Sequence, residues 1–297
     1  MRGVRWRKAW RALASVVSRA GARAWRWLRP KSRAERRHAI LAMALLAGLG
    51  AIVFTARAGT TSAPRFRFAE GVVALEPLFR AGIAAEGSEL TLREVYDQGF
   101  RIWSKQAAPA AQRLRGGGEL PERLRMESKK AKRTTLLDLE RIVAMESAGK
   151  IEVGTNRSGY TGLFQLGAAA CSDVGVAFEE VARDWRRNLE AGVRFCELLH
   201  QRLSDALAKD PQLAAVDVDP FLLYLAHQQG VSGCMQILRQ VKSGAACKLP
   251  ANKNLANNLL PGSTLWKALT RGERKPTVLE FFVFVRGAFD SVADALR

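Results

Sequence analysis

The chain has 297 residues, with 47 Lys+Arg against 28 Asp+Glu for a formal net charge of +19, and 48% of its residues are hydrophobic. That apolar content excludes a wholly disordered chain, and the length allows one or two domains with appendages. The charge is unevenly placed: residues 1–38 carry net +12, residues 39–133 net +6 and residues 134–297 net +1, which disfavours a nucleic-acid-binding fold in the C-terminal half.

The basic segment 1–38 carries Trp6, Trp10, Leu13 and Val17 at helical spacing, with Arg5, Arg7, Lys8 and Arg11 between them. This pattern suits either an amphipathic helix on an anionic membrane surface or a basic tail that only sets topology. Residues 39–56 follow, 18 residues without a charge. As a helix they reach roughly 27 Å, enough for a hydrocarbon core. Seven Lys+Arg lie in the 18 residues before this run and three in the 18 after it. The positive-inside rule then predicts a single pass with the N-terminus in the cytoplasm and the remainder outside. A signal cleaved after Ala56-Arg57-Ala58 is the alternative, and it exports the same C-terminal part.

Residues 57–133 read as a basic linker or stem with some helix. Thr60-Thr61-Ser62-Ala63-Pro64 is linker-like. Leu90 to Leu114 can hold a helix with Leu92, Val95, Tyr96 and Trp103 as apolar points, ended by Gly116-Gly117-Gly118. Lys129 to Arg133 is a charge run of the kind usually found solvated.

From residue 134 the texture becomes mainly α. Thr135-Leu136-Leu137-Asp138 has the form of a capping box, and Leu139, Ile142 and Val143 continue at helical spacing towards Gly149. Glu146 falls on the face that should be buried, in the last turn. Burial and the helix dipole there both favour the neutral, proton-donating form of a carboxyl, which is what a general acid needs. Ser158 to Gly167 is a glycine-punctuated stretch with Gln165 inside an apolar run. A helix is predicted from about Asp184 to Ala208, with Leu189, Val193, Cys196, Leu199 and Leu203 on one face. Another starts at Asp219-Pro220 and closes on His227-Gln228-Gln229 before Gly230. A further helix covers about Cys234 to Lys242. Phe281 to Val285 fits a strand or a buried helix equally.

Together these segments resemble the lytic transglycosylase domain of the lysozyme-like superfamily, glycoside hydrolase family 23. Glu146-Ser147 resembles its Glu-Ser catalytic motif. Gly162-Leu163-Phe164-Gln165-Leu166 resembles its Gly-Leu-Met-Gln motif, with Phe for Met. Asn188-Leu189-Glu190-Ala191-Gly192 resembles the Asn-Ile-x-x-Gly of the intervening helix. Ala226-His227-Gln228-Gln229-Gly230 resembles its Ala-Tyr-Asn-Ala-Gly motif, with His for Tyr and Gln for Asn. The order is kept across residues 134–290. The family's last motif carries a Tyr near the catalytic Glu, whereas Glu280 to Phe289 here has only Phe, with Phe282 or Phe284 nearest.

The resemblance implies a lysozyme-like domain over 134–297 acting on peptidoglycan. Glu146 is then the single acid and base, Ser147 helps to orient it, and Gln165, His227 and Gln228 contact the glycan. The product expected is a 1,6-anhydromuramic end, which needs no second carboxylate. Glu152, the only other acid between Glu146 and Gln165, keeps a lysozyme-like hydrolase open as an alternative. A non-catalytic module that binds glycan or an envelope-machinery partner is the other. No cofactor, metal or nucleic acid is expected, since three His show no ligand spacing. Cys171, Cys196, Cys234 and Cys247 all lie in the exported part and allow three pairings, with Cys234–Cys247 preferred because it closes a short loop.

Overall fold

Three helices begin in the same way, at a threonine followed three residues later by an acid. In the computed structural model the hydroxyls of Thr91, Thr135 and Thr277 accept the N–H of Glu94, Asp138 and Glu280, and each acid accepts the threonine N–H in return. These reciprocal bonds satisfy donors that a helix start leaves open. The structure describes residue 78, residues 80–251, residues 255 and 267, and residues 274–297. All belong to one compact unit, Phe66–Arg297.

The helices in chain order are α1 (Leu92–Arg115), α2 (Glu119–Ser128), α3 (Leu136–Ser147), α4 (Ala168–Asp173), α5 (Phe178–Arg183), α6 (Trp185–Ala208), α7 (Pro220–Lys242) and α8 (Val278–Ala295), with a 3₁₀ turn at Ala245–Cys247 between the last two. No strand is present among the described residues, only isolated bridges such as Thr161 with Leu166. The mainly α expectation holds. Asp219 caps α7 ahead of Pro220, as its sequence signal predicts, and Asp184, the expected start of α6, caps that helix. Leu189, Val193, Cys196, Leu199 and Leu203 are all buried on α6. The ambiguous Phe281–Val285 run is helical and buried on every side, which is why it carried no periodicity.

The basic segment 1–38, the expected span 39–56 and the linker residues up to 77 lie outside the described residues. Among the described residues no helix is long and apolar enough to cross a membrane.

The segment expected to be a stem contributes α1 and α2 to the same packed unit as the helices after 134. α2 lies on α3 and α6, and α1 makes its main interface with α8. That interface depends on two glycines. A methyl group on Gly99 would strike the Phe284 carbonyl, and one on Gly287 would strike the Tyr96 carbonyl, so the two backbones touch. A buried polar cluster fixes the crossing: Tyr96 Oη donates to Asp290 Oδ2 at 2.9 Å, and Arg286 Nε donates to both Asp290 oxygens at 2.9 Å.

The charge run 129–133 is anchored beneath by one carboxylate. Glu197 on α6 accepts the N–H groups of Lys132 (2.9 Å), Arg133 (2.9 Å) and Thr134 (2.6 Å) and the Thr134 hydroxyl (2.7 Å). Burial pushes the Glu197 carboxyl upward, but these bonds from Thr134, Lys132 and Arg133 outweigh it and hold the group below the ordinary carboxylate value. A carboxylate lowered in the folded state stabilises the fold above its unfolded value, and that contribution is lost as pH falls through the folded one. Replacing Glu197 with Gln should cost about 2 kcal/mol near neutral pH. Urea unfolding of both chains should show that gap closing in acid.

The four cysteines are free thiols. The preferred Cys234–Cys247 bridge is not formed. Cys234 is turned into the core, its Sγ donating to the Leu222 carbonyl at 3.8 Å, whereas Cys247 is only half-buried beyond the end of α7. Burial, with a smaller effect of Asp219, pushes the Cys234 thiol up to about 12, which makes it unreactive at neutral pH.

Candidate active site

α3 ends at Ser147 because Ala148 turns left-handed (φ 53°), with Gly149 (φ 71°) completing the stop. Alanine is strained in that conformation and glycine is not. Replacing Ala148 with Gly should therefore raise stability by about 0.5–1 kcal/mol, read as a higher thermal midpoint.

Glu146 stands two residues before Ala148, in the last turn of α3. Its side chain is 15% exposed, while Oε1 is sealed from solvent without a hydrogen-bond partner. His227 on α7 faces it, with Nδ1 3.4 Å from Oε1 and a side chain 5% exposed. The imidazole meets Phe195 of α6 edge-on at 5.7 Å and lies 6.5 Å from the Phe164 ring. Its Nε2 is buried without a partner.

Phe164 belongs to a tight turn. Thr161 and Leu166 exchange backbone bonds across it at 3.1 and 2.9 Å, and Gly162 (φ 72°) and Gln165 (φ 46°) take left-handed conformations. A positive φ at a glutamine is unusual, and such backbone is retained where the surroundings over-determine it. Asn188 supplies part of that constraint: its Nδ2 donates to the Thr161 carbonyl at 2.9 Å, and its Oδ1 accepts the Phe164 N–H at 3.0 Å. One helical turn on, Gly192 leaves the space that the Phe164 ring occupies.

Five residues were expected at the site. Glu146 and His227 are brought together. Gln228 is beside them, its Nε2 donating to the Tyr224 hydroxyl at 2.7 Å while its Oε1 is buried without a partner. Gln165 is on the turn next to Phe164, but its amide is engaged within the protein: Nε2 donates to the Gly162 carbonyl at 2.8 Å, and Oε1 accepts from Asn156 Nδ2 at 2.9 Å. Ser147 is buried and its hydroxyl donates to the Val143 carbonyl at 3.0 Å, back along its own helix. Glu152 is exposed on the following loop.

Two further residues matter that sequence reasoning passed over. Tyr224 is fully buried on α7, and burial followed by the Glu146 charge raises its hydroxyl well above the ordinary value, which places that hydroxyl in the carboxyl's field. Its ring stacks on Phe289 of α8 at 5.6 Å. Phe282 and Phe284, in the all-Phe segment of α8, are buried core residues. The signal for Tyr224 was present in the spacing, since Tyr224 and Gln228 are four apart on one helix. Asn156 shapes the loop before Gln165, its Oδ1 accepting the N–H groups of Ser158 (2.8 Å) and Tyr160 (3.1 Å).

α7 breaks at Gly230 (φ 69°, ψ 164°), so His227, Gln228 and Gln229 close its first half. Gln229 Nε2 is also buried without a partner. Four unpartnered polar atoms, on Glu146, His227, Gln228 and Gln229, therefore belong to one carboxyl and the helix end that faces it. Buried polar atoms left open in this way are costly. No family model, curated protein or solved structure matches the chain.

Proposed function

We propose that this chain is a membrane-anchored peptidoglycan lytic transglycosylase, held in the inner membrane by residues 39–56 with its catalytic domain in the periplasm. The observation that carries this proposal is convergence. Glu146, Phe164 of the Gly162–Leu166 turn, Asn188 with Gly192, and His227 come from four separate segments of the sequence, and they meet around one imidazole and one turn. These are the four segments that resemble the family's motifs, in the same order.

The chemistry follows from a single carboxyl. Glu146 gives its proton to the glycosidic oxygen as the bond from that oxygen to the anomeric carbon of muramic acid breaks. The muramic C6 hydroxyl oxygen then bonds to the same carbon, and its proton returns to Glu146. No water is consumed and no second carboxylate takes part, in keeping with the exposed position of Glu152. Tyr224 and Gln228 form the polar floor beside the carboxyl.

The purified full-length chain should release soluble muropeptides from isolated sacculi. Failure to release any, with the chain folded, removes the assignment.

A further inference from the structure

His227 was expected to touch the glycan, yet its side chain is almost wholly enclosed and one of its nitrogens faces the Glu146 carboxyl. The environment limits its state. A doubly protonated ring would bury an N–H at Nε2 with no acceptor, which is unfavourable. Of the two nitrogens, only Nδ1 has an acceptor in front of it. Cys196 on α6 and Tyr224 on α7 also feel the Glu146 charge, and burial holds both in their neutral forms. Phe195 and Phe164 flank the ring and fix its plane.

We propose that His227, neutral and protonated on Nδ1, is the positioning residue of Glu146: it donates to the buried Oε1 and so assigns the acid proton to Oε2. The consequence is directional. A carboxyl protonated on Oε1 would point its proton into the protein. With Oε1 held as the acceptor of an imidazole N–H, the proton must reside on Oε2, the oxygen left for the substrate. Once that proton has moved to the glycosidic oxygen, the same N–H faces a carboxylate and strengthens, while His227 itself neither gains nor loses a proton. The 3.4 Å separation exceeds a formed N–H···O bond by about 0.5 Å, and such bonds in unliganded sites tighten when substrate binds.

The inference rests on the acid–base role proposed above, but one arm of its test does not need turnover. The chain has three histidines, His38, His200 and His227, so ¹⁵N-histidine labelling of the full-length chain gives few ring signals, and His227→Asn identifies the one of interest. The expected result is an Nδ1-protonated, neutral ring at pH 7. An Nε2-protonated ring overturns the proposal. The second arm compares muropeptide release by two variants of matched helix content. His227→Asn keeps a side-chain N–H near the Nδ1 position but loses the ring, and His227→Phe keeps the packing but loses the donor. A positioning role predicts that His227→Asn is at least about tenfold more active than His227→Phe. Equal or higher activity of His227→Phe shows that only packing matters and overturns the proposal. If the wild-type chain releases nothing, the transglycosylase assignment falls, and the ring measurement still decides whether His227 is paired as described.

Discussion

Replacing Glu146 with Gln should reduce muropeptide release from sacculi by at least about a thousandfold, with little change in stability. Glutamine has the same shape, and its amide can occupy the space beside His227, so α3 and its stop at Ala148 should be kept. It cannot donate the proton that the departing oxygen requires, and it cannot take one back from the attacking hydroxyl. Both halves of the reaction are therefore lost with one substitution. Rates of release, measured beside thermal melts of the two chains, separate this outcome from unfolding. A variant that melts normally and still releases fragments at the wild-type rate would move the acid elsewhere.

The largest effect on stability is expected from Gly99→Ala or Gly287→Ala. Each added methyl would meet a carbonyl of the opposing helix rather than the end of a flexible side chain. Relief requires α1 and α8 to separate, and their separation would pull Tyr96 from Asp290. A cost of about 3 kcal/mol or more follows, at the upper end for overpacked cores. α8 also supplies Phe289, on which the Tyr224 ring stacks, so loosening this interface should lower activity as well. Urea unfolding midpoints of the two variants against wild type give the test, and an unchanged midpoint would mean that the helices do not cross as described.

Local signals in the sequence carried the helix ends. Thr135 with Asp138, Asp184, and Asp219-Pro220 are chemical caps whose meaning does not depend on the rest of the fold. Glu146 was visible for a related reason, as an acid on an otherwise apolar face. What stayed hidden depends on partners distant in sequence. Gly99 and Gly287 are ordinary glycines until α1 and α8 are known to cross at them, so the stem could not be seen as part of the packed unit. Gly192 was visible only as part of a resemblance, and its physical role needs Phe164, 28 positions earlier. His227 was legible as a polar residue at a helix end, but its direction was not. Helical spacing gives a face and not the identity of the group opposite, and that group turned out to be Glu146 rather than solvent.

The most direct test is mass spectrometry of the fragments released from sacculi by the wild-type chain, with Glu146→Gln as the control. Muropeptides ending in 1,6-anhydromuramic acid, a mass lower by one water than the hydrolysed product, are expected from the wild type, and none from the variant. Ordinary reducing ends would contradict the transglycosylase assignment and identify a lysozyme-like hydrolase. Bound but uncut glycan would contradict it equally and leave a binding module on this fold.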